Sequence, residues 1–104
     1  NLGFLYENAV AQAIQSTGRN LFYMTWPKKN STHNYEIDFL IRRGTHVQPI
    51  ECKSSRIDPH LSLDEFCRKY SAIVIDPLIA SQKDIRKIGA ITNIPFYMIP
   101  NILE

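Results

Sequence analysis

The hydrophobic positions of this chain follow two rhythms, one helical and one typical of β-strands. In the first part, apolar residues recur at about 100° per residue, which predicts an amphipathic helix over residues 2–16. Its apolar stripe comprises Leu2, Leu5, Tyr6, Ala9, Val10 and Ala13, with Asn8, Gln12 and Gln15 opposite. Gly18 suits the end of this helix, because glycine accepts the left-handed conformation of a C-cap.

From residue 21 onward the pattern becomes that of successive strands. The aromatic and apolar run at 21–26 predicts a first strand, which Pro27 ends. In residues 35–42 every second position is apolar, which predicts a second strand with one buried face. These alternating positions are Ile37, Phe39 and Ile41.

A third strand, predicted over residues 46–53, pairs with the second through a tight hairpin. Gly44-Thr45 suits a two-residue turn, with glycine where the backbone needs a positive φ. Residues whose numbers sum to 89 then face each other, so Asp38 lies opposite Glu51 and Glu36 lies opposite Lys53. Pro49 cannot donate a ladder hydrogen bond, so we expect an irregularity there in the third strand.

The second half of the chain carries weaker signals. Ser62-x-x-Glu65 has the form of a capping box, which predicts a helix from about Leu63 to Lys69. The apolar run 72–75 predicts a strand in the centre of the sheet. The remaining expectations are a turn at 81–84, short edge strands within 85–92, and a last helical turn from Pro95 to Met98, ended by Pro100.

This order of elements predicts an α/β fold with one mixed β-sheet flanked by helices. The core is αβββαβ, an antiparallel meander followed by a helical crossover. With 104 residues the chain has room for a single domain, 1–104. It does not begin with methionine, which leads us to expect a fragment of a longer protein.

Composition narrows the function classes only slightly. The formal charge is +2, so any nucleic-acid contact must come from a local patch. No apolar run reaches the roughly 20 residues of a membrane span, and no phosphate-binding GxxxxGK[ST] loop is present. Cys52 and Cys67 show no metal-binding spacing, and we interpret Cys52 as a buried reduced thiol. These features favour a reducing, cytoplasmic compartment and no membrane partner.

The predicted hairpin concentrates acidic chemistry. Asp38 and Glu51, directly opposite each other, would have Cβ atoms roughly 5 Å apart. Two carboxylates that close repel each other unless a positive charge lies between them. Mg²⁺ is the obvious candidate, since one or two carboxylates usually hold it while waters fill its other positions. Lys53 projects from the same strand face as Glu51, which adds a cation to the site.

The residues Asp38-x12-Glu51-Cys52-Lys53 resemble the PD-(D/E)XK nuclease signature. The sequence around this signature is closer to one branch of the PD-(D/E)XK nucleases. The segments that carry this likeness are Gly3-Phe4-Leu5-Tyr6-Glu7-Asn8-Ala9-Val10, Phe22-Tyr23, Glu36-Ile37-Asp38-Phe39-Leu40-Ile41 and Ile50-Glu51-Cys52-Lys53-Ser54-Ser55. That text resembles the restriction-endonuclease-like domain of unknown function found C-terminal to AAA-type ATPase modules in bacteria and archaea. The likeness covers nearly the whole chain, although Ile37 stands where the signature has proline.

The resemblance implies a restriction-endonuclease-like fold and a Mg²⁺-dependent (or Mn²⁺-dependent) nuclease. Asp38, Glu51 and the backbone carbonyl of Cys52 would hold the metal. Lys53 would orient the attacking water and neutralise charge on the phosphate. Glu7 has two interpretations: a boundary glutamate that reaches water, or a third acid that completes the site, which the resemblance favours.

The same resemblance implies nucleic acid, DNA above all, as a partner and an ATPase module in cis on the amino-terminal side. A homodimer is a further expectation. The predicted phosphate contacts are Lys28, Lys29, Arg42, Arg43 and Arg56, all in loops or near turns. Lys28 and Lys29 are also compatible with a solvated loop tip.

A second function class stays open. The fold could serve as a non-catalytic DNA-binding or partner-docking module of an AAA-type ATPase. Asp38, Glu36 and Lys53 would then form a polar network at the sheet end and break no bond. Lys53 does not discriminate between the two classes, because opposite charges across a strand pair are also generic.

Overall fold

A mixed sheet of six strands organises the computed structural model, which describes residues 2–16, 18, 22–54 and 56–103. The side chains of residues 2–6, 13, 16 and 103 lie outside that description. The elements are α1 (Leu2–Ser16), β1 (Phe22–Pro27), β2 (Asn34–Arg43), β3 (His46–Cys52), α2 (Leu61–Lys69), β4 (Leu78–Ser81), β5 (Arg86–Ile88), β6 (Ile91–Pro95), a 3₁₀ turn (Phe96–Met98) and α3 (Ile99–Leu103).

The strand order in the sheet is β1-β2-β3-β4-β6-β5. The first three strands form an antiparallel meander, and α2 then carries the chain across to β4, which runs parallel to β3. β6 is parallel to β4, and β5 lies antiparallel to β6 at the edge. The predicted α/β class and mixed sheet are confirmed. No helix in the described part of the chain is long and apolar enough to span a bilayer.

Each face of the sheet has its own buried cluster. The α1 cluster comprises Val10, Ile14, Phe39, Ile41, Ile50, Leu78, Ala80, Ile94 and Ile99. The α2 cluster comprises Trp26, Ile37, Ile57, Leu63, Phe66, Ile79 and Ile91. Both clusters draw on β2, β4 and β6, so these strands bury apolar side chains on two sides.

The predicted hairpin is confirmed in position and register. Pairing runs without a shift from Phe39–Ile50 to Arg43–His46, and Gly44 has a φ of 64°. Pro49, which pairs with Leu40, causes no irregularity in β3. Hydrogen-bonded and non-hydrogen-bonded pairs alternate along such a ladder, which makes the Pro49 pair a non-hydrogen-bonded one. Its missing N–H is therefore not needed there.

The irregularity lies in β2 instead. Two residues of β2, Asp38 and Phe39, stand opposite a single residue of β1, Tyr23. Ile37 and Leu40 consequently contact the same α2 cluster although they are three positions apart. This arrangement is a β-bulge, which bends a strand and redirects its side chains.

The predicted helix over residues 2–16 is confirmed. Gly18 ends it with a φ of 78°, and its N–H bonds the Gln15 carbonyl at 3.0 Å. Val10 and Ile14 are buried, but the predicted stripe is wrong at Ala9, which is exposed. The predicted apolar positions Leu2, Leu5, Tyr6 and Ala13, and Leu21 of the first strand, lie outside the described side chains.

The predicted capping box is wrong. α2 begins at Leu61 after His60, and no side chain caps its first turn. The Ser62 hydroxyl instead accepts a hydrogen bond from the Glu36 N–H at 3.1 Å, which joins the helix to β2. Glu65 forms an ion pair with Arg68 one turn later. A tertiary contact has replaced the local one that the motif predicts.

The predicted central strand at 72–75 is also wrong. These residues form a turn and a single bridge between Val74 and Val47, and Ile73 and Ile75 are exposed. The central strand is β4, whose four residues are all buried. Both runs are short and mainly apolar, so periodicity alone does not separate them.

The carboxyl-terminal predictions are confirmed in part. β5 is an edge strand as expected, whereas β6 lies inside the sheet between β4 and β5. A 3₁₀ turn follows Pro95 as predicted, but Pro100 does not end the helical segment. Pro100 is the second residue of α3. Proline is tolerated there, because N–H groups in the first turn of a helix have no acceptor within the helix.

Candidate carboxylate site

The candidate residues meet where the β2–β3 ladder stops. The last paired residues are Phe39 and Ile50, and the next contact comes from a side chain. The Asp38 carboxylate accepts a hydrogen bond from the Cys52 N–H at 2.8 Å. Because Asp38 belongs to the bulge, its carboxyl group takes the place of a backbone carbonyl at the end of β3.

Asp38 faces the side of the sheet covered by α1. It lines a groove of about 350 Å³ together with Glu7 and Asn8 from α1 and Tyr23 from β1. Glu7 is exposed at the rim. The predicted juxtaposition of Glu7 and Asp38 is therefore present, across the junction of the helix and the bulged strand.

Burial raises the pKa of Asp38 to about 7, against an ordinary value of 3.8. The Cys52 N–H opposes this rise, because it favours the carboxylate, while the charge and hydrogen bonding of Glu7 and the charge of Glu51 increase it. The raised pKa of Asp38 therefore reflects burial first and its acidic neighbours second.

Glu51 and Lys53 lie on the other side of Cys52, next to the loop that leads to α2. The Glu51 Oε1 atom is 3.5 Å from the Lys53 ammonium, and the Glu51 side chain is only 12% exposed. Its other oxygen, Oε2, is buried and has no hydrogen-bond partner among the residues that the structure describes. A buried carboxylate oxygen without a donor is unusual in a native protein, and it calls for an ion or water as a partner.

Burial also raises the pKa of Glu51, and Lys53 lowers it by its charge and hydrogen bonding. The effect of burial is larger than that of Lys53, so one ammonium group does not fully compensate the buried carboxylate. Lys53 is itself shared, since its Nζ donates to the Pro59 carbonyl at 2.7 Å. The predicted pairs Asp38–Glu51 and Glu36–Lys53 do not form, because the β2–β3 ladder ends at Phe39–Ile50. The Lys53 N–H bonds the Ala80 carbonyl of β4 instead.

Cys52 contributes backbone rather than thiol chemistry. Burial raises the pKa of its thiol, and the charges of Asp38, Glu7 and Glu51 raise it further. The thiol, which packs against the α1 cluster, thus stays protonated and unreactive. Both cysteines are free, as the sequence indicates.

A family model described as a domain of unknown function (DUF4143) matches residues 2–97. The chain belongs to the DUF4143 family. A search of the curated proteins finds no match. The range matched to DUF4143 includes every candidate residue from Glu7 to Arg56, and it ends just before α3.

The DUF4143 chain holds its predicted acids in two groups, one on each face of the sheet. Glu7 and Asp38 lie on the α1 face, and Glu51 and Lys53 lie on the α2 face. The predicted shared face of Asp38 and Glu51 is therefore wrong, and the groups meet only at the strand end, where the Cys52 N–H bonds Asp38. Within the described residues no three His, Cys, Asp or Glu side chains form a ready metal-binding group.

The five predicted phosphate contacts do not share one place. Lys28 and Lys29 follow β1 at the same end of the sheet as Glu51, and Arg56 lies in the loop after β3. Arg42 and Arg43 lie near the hairpin turn, at the other end of these strands. Arg43 is also engaged within the fold, because its guanidinium donates to Gln48 and to the Ile102 carbonyl, both at 3.0 Å.

Sequence reasoning missed His60. Its Nε2 atom is 3.1 Å from Asp58, and its Nδ1 atom is 3.0 Å from Asp64. A carboxylate thus lies at each ring nitrogen of His60, and the charge of His60 lowers the pKa of the nearby Glu51. The spacing of His60 and Asp64, four residues apart at a helix start, was the available signal.

Proposed function

We propose that this domain is a Mg²⁺-dependent nuclease of the restriction-endonuclease-like type that cleaves nucleic-acid phosphodiester bonds. The observation that carries the proposal is a buried Glu51 oxygen that has no partner among the described residues, next to the strand end where Asp38 bonds Cys52. The order α1, β1, β2, β3, α2, β4 supports the proposed fold type, since it is the αβββαβ core that the resemblance implies.

The residues present fit a divalent cation. Glu51 offers a free oxygen, Asp38 offers a carboxyl group among acidic neighbours, and the Cys52 carbonyl offers a third hard donor. When bound, such an ion would polarise the scissile phosphate and lower the pKa of its water. A cation would also offset the repulsion from Glu7 and Glu51 that contributes to the raised pKa of Asp38.

The remaining roles fall to Lys53 and Glu7. Lys53, held by the Pro59 carbonyl, places its ammonium beside Glu51, where it stabilises negative charge on the reacting phosphate. Glu7 is exposed at the rim of the Asp38 groove, where it holds a water or a second ion. In this proposal an AAA-type ATPase module in cis handles the nucleic acid.

One observation favours the non-catalytic alternative. Lys53 and Asp38 both make hydrogen bonds that a purely structural network would use, to the Pro59 carbonyl and the Cys52 N–H. A DNA-binding or docking module would keep these contacts without any metal. The two functions differ in what happens when a carboxylate is neutralised.

Metal uptake tests the proposal directly. The wild-type protein, titrated with Mn²⁺ in a calorimeter, should bind the ion, whereas Asp38→Asn and Glu51→Gln should abolish binding because each removes an anionic ligand. Glu36→Gln is the matched control: it neutralises an exposed carboxylate on the same strand, two residues from Asp38, and should leave uptake unchanged.

The non-catalytic alternative predicts a different set of results. Wild-type protein would take up no Mn²⁺, and Asp38→Asn would melt at a lower temperature because it disturbs a structural network. That combination would overturn the nuclease proposal.

A further inference from the structure

A second groove opens beside the carboxylate site, at the end of the sheet where β3 and β4 both finish. Its volume is about 480 Å³, and the segments that follow these two strands form its walls. Three cations line it, Arg56, Lys83 and Arg86, together with two acids, Asp58 and Asp84. All three cationic side chains are exposed.

The positive charge of this groove is available to a ligand. No described residue pairs with the charged group of Arg56, Lys83 or Arg86. Asp58, by contrast, already bonds the His60 ring. The groove therefore presents three cations against one carboxylate that no described cation neutralises, a net attraction for anions.

The groove lies on the same face of the sheet as Glu51. In β3, Val47 contacts the α2 cluster, and Glu51 is four positions later, which gives it the same facing. In β5, Ile88 contacts that cluster and Arg86 shares its facing. Lys87, between them, projects from the opposite face.

A buried network fixes the wall that carries Lys83. Asn93 has no exposed surface, and its amide donates to the carbonyls of Lys83 and Asp84 at 3.2 and 2.9 Å. The Ser81 hydroxyl donates to Asn93 at 2.7 Å and accepts from the Lys83 N–H at 3.0 Å. Both strands of this network belong to the sheet, so the loop is held rigidly with its side chains outward.

The opposite wall is tied to the carboxylate site. Lys53 bonds the Pro59 carbonyl, and His60 bonds Asp58, so the segment from Arg56 to His60 is fixed to the residues beside Glu51. A polymer lying in the groove would therefore continue past Glu51 and Lys53.

We propose that this groove binds the phosphate backbone of a nucleic acid, with Arg56, Lys83 and Arg86 as its contacts. The inference rests on the proposed function, because it names the surface that holds the substrate of that site. Compared with the phosphate contacts predicted from the sequence, this proposal leaves out Arg42 and Arg43 at the hairpin turn and adds Lys83 and Arg86, which follow β4.

The test is salt-dependent binding of labelled duplexes of about 20 base pairs, one of DNA and one of RNA, measured by fluorescence anisotropy in EDTA. Each of Arg56→Ala, Lys83→Ala and Arg86→Ala should weaken binding about 3- to 10-fold at low salt. Each should also reduce the slope of log affinity against log salt by about 0.9, since one phosphate contact is lost.

Lys87→Ala is the matched control, because it removes the same charge from the same strand but from the other face. It should leave affinity and slope unchanged. Equal losses for Lys87→Ala and Arg86→Ala, or no loss for the three groove variants, would overturn the groove proposal. Binding of one duplex and not the other would identify the nucleic acid and support the proposal.

The two proposals fail separately. Mn²⁺ uptake without salt-dependent binding of either duplex would overturn the groove and leave the metal site. Groove-dependent binding by a protein that takes up no Mn²⁺ would support the groove and overturn the nuclease.

Discussion

Two buried polar clusters lie within the same sheet, and they are built in opposite ways. Around Asn93 and Ser81, every side-chain donor and acceptor in the cluster has a partner, and both residues are almost wholly buried. Around Asp38 and Glu51, acidic groups lie near one strand end, burial raises the pKa of both, and one Glu51 oxygen has no partner among the described residues. The two clusters thus differ in how completely their buried polar atoms are hydrogen-bonded.

The difference in hydrogen bonding suggests different roles for the two clusters, one in stability and one in function. A fully bonded network stabilises the fold and needs nothing from outside. An under-bonded cluster of like charges costs stability, and it persists where a ligand completes it. On this reasoning the Asn93 cluster holds the loop, whereas under the proposed function a cation would complete the Asp38–Glu51 cluster.

The largest expected effect concerns turnover at the under-bonded cluster. Lys53→Ala should slow Mn²⁺-dependent cleavage of duplex DNA by about 10²–10³-fold, or roughly 3–4 kcal/mol, because a donor to the developing charge is lost. Single-turnover cleavage assays with matched metal concentrations measure this effect.

Mn²⁺ calorimetry provides the control for that variant. Lys53→Ala keeps Asp38 and Glu51, so metal affinity should stay the same or rise as a neighbouring positive charge disappears. Loss of metal binding together with cleavage would show that Lys53 supports the fold of the site rather than the reaction.

The fully bonded cluster should respond in stability instead. Asn93→Ala removes two donors and one acceptor from buried partners, so the free energy of unfolding should fall by about 3 kcal/mol. Urea denaturation measures it. Thr92→Ala, on the neighbouring and half-buried position of β6, is the control and should cost far less. Equal losses would refute a special role for the network.

The smallest effect is the pH dependence of the metal-free protein. Folding raises the pKa of Asp38, so the folded state binds more protons than the unfolded state between about pH 4 and pH 7, and stability falls as pH rises. Asp38→Asn should remove this fall and be more stable than wild type by about 1–2 kcal/mol near pH 8, since Glu7 is exposed and water screens part of the repulsion.

Asp38→Ala separates charge from hydrogen bonding in the same experiment. It removes the acceptor of the Cys52 N–H as well as the charge, so it should be less stable than Asp38→Asn. A wild-type protein whose stability rises between about pH 4 and pH 7 would contradict the electrostatic account of this cluster.

The sequence predicted those parts of the fold that depend on residues close together in the chain. The β2–β3 hairpin follows from Gly44 and the period of two, both of which act over a few residues. The strand at 78–81 was missed in favour of 72–75, because only pairing with β3 and β6 distinguishes two short apolar runs. The Ser62 motif failed for the same reason, since a distant strand supplies its partner.

The candidate site shows the same limit. The hairpin register correctly predicted that Asp38, Glu51 and Lys53 lie near the same strand end, but it wrongly predicted that Asp38 and Glu51 share a face. The division into two pairs was not predictable, because it depends on a bulge that forms against β1. His60 and the cations Lys83 and Arg86 come from loops whose positions only the assembled sheet determines.

The bulge at Asp38 also bears on how such a site can arise and disappear. A regular strand without the extra residue would place Ile37 and Leu40 two positions apart and leave both in the α2 cluster. The hairpin from Phe39 to Ile50 closes through Gly44 and does not depend on that residue. An insertion of one amino acid can thus introduce an ionisable side chain between the α1 cluster and the α2 cluster, and a deletion can remove it. Neither change requires the two clusters to repack. We therefore expect relatives of this domain that gain or lose the acidic site to differ by an insertion or deletion of one residue in β2, rather than by substitutions in the buried clusters.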